Sequence, residues 1–276
     1  LNYAIVIENA RKGLKKYCQD GDIKSLILGV SGGLDSAVIA ALARPVCEEL
    51  DIPLIGRSLP TSTNKTDELS RAVLVGDSFC TDFKEINIHI LAFETKNFLD
   101  LREENDLIRI GNVYARTRMI ILYDLAAEHD GMVLSTDNYS EMMLGFWTLH
   151  GDVGDFGMIQ NLFKTEAYDI AEYLGSQFDS DSPEAQALDM CINGIATDGL
   201  GITNSDIDQL CPEMAALSSR EAYKRVDMSI VQAINNPLSN QSVTRGIAAK
   251  IKATEFKRNN PYNIPLDELT GEADEE

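Results

Sequence analysis

Leu26-Ile27-Leu28-Gly29-Val30-Ser31-Gly32-Gly33-Leu34-Asp35-Ser36-Ala37 decides the fold. A short apolar run without charge reads as a buried strand; it stops at a Ser-Gly-Gly turn, and Ser36 to Ala43 reads as a helix. Two adjacent glycines let backbone amides converge on an anion, and the helix that follows aims its unpaired N-terminal amides at the same point. Ser31 and Ser36 add hydroxyls. Asp35 beside a phosphate calls for a divalent cation between the two, so the chemistry suggested is a magnesium pyrophosphate held at a strand end. No lysine follows the glycines, so the Walker pattern is absent. Gly-Gly alone fits an ordinary tight turn; Ser-Gly-Gly-x-Asp-Ser after a buried strand favours phosphate.

Outward from that stretch the chain alternates. A second strand, Pro53 to Leu59, ends at Pro60-Thr61-Ser62-Thr63-Asn64, and Asp67 to Ser78 reads as a helix. A third strand, Phe83 to Ile88, leads to a helix near Leu91 to Leu99. This predicts an α/β fold, doubly wound, with a mainly parallel sheet and helices on both faces, ligands lying at the carboxyl ends of the strands. Residues 3 to 19 fit an amphipathic helix, and Pro45 is expected to bend or shorten the helix that contains it. Gly111 to His129 is helical; Arg116 and Arg118, two apart, diverge around it. A strand at 131–138 is followed by Glu141, a Met-rich segment, Phe146, Trp147, and a turn bearing Asp152 and Asp155, where aromatic faces beside carboxylates suit a flat heterocycle. For the Met-rich segment a core helix followed by a solvated turn is preferred. Lys164-Thr165 opens a helix, Pro183 fits another start, and Gly194 to Gly201 reads as a mobile cover. Thr203 to Asp206 and Ser218 to Glu221 look like helix N-termini, the latter a capping box. A helical C-terminal part runs to Arg258. Residues 1–258 are expected to form one domain, and 259–276 an extension with an acidic tail, disordered at its end.

The 276 residues are 44% hydrophobic and 25% charged, with a formal net charge of −20. Six acids stand among the last ten residues, and the body stays acidic without them. Such a surface repels polyanions, which argues against a nucleic-acid substrate. No apolar run reaches a membrane span and no signal peptide is visible, so a soluble cytoplasmic protein is expected. The five cysteines are scattered and never in C-x-x-C spacing, and the three histidines form no metal motif; neither a disulfide framework nor a zinc site is expected.

The loop Ser31 to Ser36 resembles the signature of the N-type ATP pyrophosphatases, whose fold is adenine nucleotide alpha hydrolase-like. Gly111-Asn112-x-Tyr114-Ala115-Arg116-Thr117-Arg118-Met119 and Ser135-Thr136-Asp137-Asn138-x-x-Glu141 through Gly145-Phe146-x-Thr148-x-x-Gly151-Asp152 narrow the likeness to the ammonia-dependent NAD synthetases, from about residue 22 to 170 and weakly on to 258. The resemblance implies a homodimer that amidates deamido-NAD with ammonia, through an acyl adenylate, releasing AMP and pyrophosphate, with ATP as co-substrate and Mg2+ as cofactor. It implies Gly29, Ser31, Gly32, Gly33, Asp35, Ser36, Ser58, Asn64, Arg118, Thr136, Lys164 and Thr197 for ATP, and Asp35 and Glu141 for magnesium. It implies Asn112, Arg116, Tyr123, Phe146, Asp152, Asp155 and Lys257 for the dinucleotide. By the same resemblance Asp35, Ser36 and Lys164 would serve catalysis, and Asp152 or Asp155 would help to deprotonate ammonium. Ser58 stands where the family often has arginine, with Arg57 one place away; His150 replaces a usual tyrosine, and Phe256 a histidine. With no room for a fused amidase domain, free ammonia or a separate amidase subunit is expected. Another amidating ligase would share the loop but not the central motifs, and a silent nucleotide-binding protein would lack Asp35 and Glu141.

Overall fold

The computed structural model describes residues 1–197, 199–236, 242–265 and 269. Five parallel strands form the sheet in the order β3-β2-β1-β4-β5: β1 Ser25–Gly29, β2 Leu54–Ser58, β3 Asp82–Glu85, β4 Gly131–Ser135 and β5 Phe156–Gly157. Strand order reverses on passing from β1 to β4, and the crevice beyond their carboxyl ends is where such sheets take ligands. The helices before the last strand are α1 Tyr3–Asp20, α2 Leu34–Leu50, α3 Thr66–Phe79, α4 His89–Phe98, α5 Leu107–Glu128 and α6 Tyr139–Leu144. After it come α7 Lys164–Gly175, α8 Pro183–Ile192, α9 Asp206–Leu210, α10 Ser219–Asn235, α11 Ser242–Ala253 and α12 Glu255–Arg258.

Alternation along β1 distributes the core. Leu26 and Leu28 join a cluster with Leu42 of α2, Val75 of α3, Ile170 of α7 and Leu188 of α8, whereas Ile27 joins Met119 and Leu122 of α5 on the opposite face. Helices therefore cover both faces, as expected of a doubly wound sheet. A third cluster, with Leu144, Ile207, Tyr223, Val226 and Ile247, binds α6 to the helical C-terminal part. No described helix is long and apolar enough to cross a membrane.

Several expectations change. Pro45 does not end α2, which runs on to Leu50. The carbonyl four residues before a proline loses its helical donor, and here that carbonyl, Ala41 O, accepts from the Arg11 guanidinium at 3.2 Å, with Leu42 O at 3.4 Å from Arg11 Nε. β3 stops at Glu85, and β5, only two residues long, gives no periodic signal. The segment after α6 is less solvated than a surface turn, since Thr148 and Gly151 are buried. At Ser218 the hydroxyl caps Glu221 N–H and donates to the Glu221 carboxylate, in place of a reciprocal backbone bond. Of the acidic tail only residue 269 is described, so its expected disorder lies outside the described residues.

Candidate functional site

The loop after β1 is built around Gly32, whose φ of +77° is open to glycine and strained for other residues. A Cβ there would stand 2.1 Å from Glu68 O, because the loop presses on the first turn of α3. Arg71 of α3 locks it by donating to Gly32 O at 2.8 Å. Ser31 Oγ accepts from Gly33 N–H at 3.1 Å and lies 3.2 Å from Ser36 Oγ, which donates to Gly33 O. Gly33 is the N-cap of α2 and gives it no side-chain cap, so the first-turn amides face the crevice with anion-binding polarity.

Three helix N-termini meet beyond β1 and β4. Asp35 stands in the first turn of α2, Glu141 in the first turn of α6, and Lys164 at the start of α7. Lys164 Nζ donates to Asp35 Oδ2 and, at 3.1 Å, to Glu141 Oε1. Asn138, buried at the N-cap of α6, accepts from Glu141 N–H and sends its amide to Asp35 Oδ1 at 3.4 Å. The Tyr223 ring underlies Lys164 Nζ at 5.3 Å.

The electrostatics is lopsided toward acid. Burial pushes the Glu141 carboxyl above its usual value against the pull of Lys164, and neighbouring Asp35 and Asp137 push the same way. Burial likewise raises Asp137 to about 7, with Asp152 adding to it. Burial alone would lower the Lys164 ammonium, but Asp35 and Glu141 hold it well above its usual value. Three acids, Asp35, Glu141 and Asp137, thus crowd one ammonium, and the mutual repulsion that helps to raise Glu141 and Asp137 is what a bound cation would relieve.

A cavity of about 240 Å³ opens over this group. Its wall takes in every residue assigned above to ATP, from Gly29 to Thr197, together with Glu141, Phe146 and Asp152. Arg118 donates to Leu59 O at 3.1 Å and to Asn64 Oδ1 at 3.2 Å. Ser58 and Arg57 both line the cavity, but the terminal nitrogens of Arg57 are committed to Asp82 Oδ2 at 2.7 Å and to the Gly56 and Asp82 carbonyls. Residues 194–197 with 199 and 200 close one side: Thr197 Oγ1 donates to Glu68 at 2.6 Å and Thr63 Oγ1 donates to Gly199 O at 2.8 Å.

The residues assigned to the dinucleotide divide. Asn112 Oδ1 accepts from Thr148 Oγ1 at 2.8 Å, Arg116 Nε donates to Leu149 O at 3.1 Å, Asp152 accepts from Thr148 N–H, and Lys257 Nζ donates to Gly145 O and Trp147 O. All four grip the 145–152 turn that carries Phe146, and of them only Asp152 lines the cavity. Arg118 and Arg116 do diverge, one into the cavity and one onto this turn. Asp155 lies outside the cavity wall, accepting from Tyr123 OH and Val133 N–H, each at 2.9 Å; burial and that carboxylate push the Tyr123 phenol up to about 12.

Sequence reasoning gave no role to Arg71, Glu68, Asp137 or Asp206, all in the cavity wall. Asp137 was legible from its place in the Thr136-Asp137-Asn138 run; Asp206 read only as part of a helix start.

A family model described as NAD synthase matches residues 6–261. An NH(3)-dependent NAD(+) synthetase of Thermococcus sibiricus is 32% identical over 265 residues, 95% of this chain and 97% of that protein. One of Helicobacter pylori strain J99 is 34% identical over 207 residues, 74% of this chain and 76% of that protein. The structure of an NMN synthetase from Francisella tularensis shares the fold with a TM-score of 0.76 at 20% identity, covering 96% of this chain and 99% of that one. That of an NH3-dependent NAD synthetase from Campylobacter jejuni, in complex with nitrate, gives 0.72 at 21%, over 96% and 100%.

Proposed function

Since the chain belongs to the NAD synthase family, we propose that it makes NAD from deamido-NAD, ATP and ammonia through an acyl adenylate. A carboxylate is a poor acyl donor until one of its oxygens joins a good leaving group. The nicotinate carboxylate attacks the α-phosphorus of ATP, the bond to the bridging oxygen breaks, and pyrophosphate leaves. Ammonia then adds to the acyl carbon and AMP departs with the electron pair of the C–O bond.

The observation that carries this is the convergence of Asp35 and Glu141 on Lys164 at the mouth of the Gly32-Gly33 loop. The loop amides, the start of α2 and the hydroxyls of Ser31 and Ser36 hold the β- and γ-phosphates, and Lys164 and Arg118 add fixed positive charge. Two carboxylates already gathered about an ammonium, with acid in excess, form a donor set that suits Mg2+ shared with phosphate oxygens. Asp35 and Glu141 would hold that ion, which would neutralise charge on the departing pyrophosphate. Phe146 offers a ring face to the nicotinate, and Asn112, Arg116 and Lys257 support it through the turn they grip. Tyr123 and Asp155 serve the dinucleotide on the outer side. Asp152 lines the cavity and Asp155 does not, so of the two Asp152 would take the proton that ammonium gives up; Asp137, also in the wall and raised to about 7, is a second candidate base.

A homodimer is part of this proposal. Ile90 and Phe98 on α4, and Ile108 and Ile120 on α5, are 64% to 90% exposed, apolar side chains that a second copy would cover. Sedimentation as a monomer would remove that element.

Purified protein given ATP, magnesium, ammonium and deamido-NAD should release AMP, pyrophosphate and NAD. Folded protein that forms no AMP under those conditions defeats the proposal, and the same assay with glutamine in place of ammonium identifies the nitrogen source.

A further inference from the structure

Asp227 lies midway along α10, 5% exposed and absent from the cavity wall. Its Oδ1 accepts from Ser140 Oγ at 2.5 Å, and its Oδ2 accepts from Thr165 Oγ1 at 2.8 Å and from Thr165 N–H at 3.1 Å. Ser140 Oγ in turn accepts from Lys164 N–H at 2.9 Å. One carboxylate therefore ties together the first turns of α6 and α7, where it also answers the positive ends of both helices.

The residues it holds are the sequence neighbours of the two that face the cavity: Ser140 precedes Glu141, and Thr165 follows Lys164. Successive residues on a helix point about 100° apart, so while Ser140 and Thr165 turn to Asp227, Glu141 and Lys164 turn to the cavity. The 3.1 Å spacing of Glu141 and Lys164 is thus fixed from behind.

We propose that Asp227 is a positioning residue for the phosphate site, setting the separation of the Glu141 carboxylate and the Lys164 ammonium by bonding Ser140 to Thr165. It rests on the reading that Glu141 and Lys164 serve the nucleotide and its metal. Groups that orient charged residues in this way carry roughly 10- to 100-fold of metal affinity or activity when removed.

The test compares wild type, Asp227→Asn and Thr165→Val by calorimetric binding of magnesium ATP and by steady-state rates. Asp227→Asn keeps the shape and loses the charge; it should weaken magnesium ATP binding about tenfold, raise the magnesium needed for half-maximal rate, and lower kcat. KM for deamido-NAD should stay within about twofold, a split that general loosening of the fold does not produce. In a Glu141→Gln background the effect of Asp227→Asn should shrink, because there is then one carboxylate fewer to place. Thr165→Val, which removes one bond and no charge, should show the same split in smaller measure, and it decides the matter should Asp227→Asn fail to fold. Folded variants with wild-type magnesium ATP affinity, or with losses fully additive to Glu141→Gln, overturn the proposal. Wild type that binds no magnesium ATP overturns both this and the proposed reaction; wild type that binds it without making AMP overturns the reaction alone, and the comparison is read from binding.

Discussion

Lys164 Nζ stands 3.1 Å from Glu141 Oε1 and bonds Asp35 on its other side, although Asp35 and Glu141 are more than a hundred residues apart in sequence. Its side chain is 4% exposed. A buried cation between two buried acids is costly to remove, because both partners stay behind in low dielectric.

Lys164→Met should therefore lower stability by about 3 kcal/mol and cut AMP formation at least ~100-fold. Magnesium should recover part of the lost stability in this variant and little in wild type. Thermal melts with and without the ion read the first effect; a variant as stable and as active as wild type would show that the triad is ornamental.

Asp35→Ala leaves Lys164 its bond to Glu141, so the chain should fold while turnover disappears. Full activity in this variant would strike Asp35 from the metal site.

Gly32→Ala puts a methyl group 2.1 Å from Glu68 O at a φ of +77°. Loop or helix must move, at roughly 2 to 4 kcal/mol, and nucleotide binding should be lost with it. A neutral outcome in denaturant titration would mean that the loop does not press on α3.

Arg11→Ala should cost about 1 kcal/mol by stripping the donor from Ala41 O, with kcat untouched. Pro45→Ala restores a backbone N–H to that carbonyl, so the loss from Arg11→Ala should be smaller in its presence. Equal losses in both backgrounds would contradict the pairing of Arg11 with the proline gap.

Asp137 gives a pH test. Its folded carboxyl is raised from 3.8 to about 7, chiefly by burial. The folded state then holds the proton more tightly than the unfolded one, so its contribution to stability is full below 3.8 and is lost as pH rises through 7. Wild type should lose melting temperature relative to Asp137→Asn between about pH 4 and pH 7, with no further loss above that. Parallel profiles would remove Asp137 as the cause.

Much of this site was legible beforehand because its chemistry is local. The glycine turn, Asp35 and Ser36 share one loop, Glu141 follows a strand end, and Lys164 opens a helix; a parallel sheet brings strand ends together whatever the intervening lengths. Illegible were the choices a side chain makes between neighbours. Nothing in the spacing says that Lys257 reaches the Gly145 and Trp147 carbonyls instead of the cavity, or that Arg57 turns toward Asp82. Asp227 looks like any acid on an amphipathic helix until α10 packs on α6 and α7. Only tertiary packing places Arg11 opposite Pro45.

Arg258 donates to Met142 O at 3.1 Å and Met143 O at 2.9 Å, beside the Lys257 bonds to Gly145 and Trp147. The turn bearing Phe146 is thus finished by residues more than a hundred positions downstream. During synthesis the glycine loop emerges early while the residues that finish the acceptor's turn are still untranslated, so a product stalled before residue 257 should lack a completed nicotinate site. A truncation ending at residue 254, assayed for AMP release with deamido-NAD present, reads this directly: the pocket for the second reactant closes last.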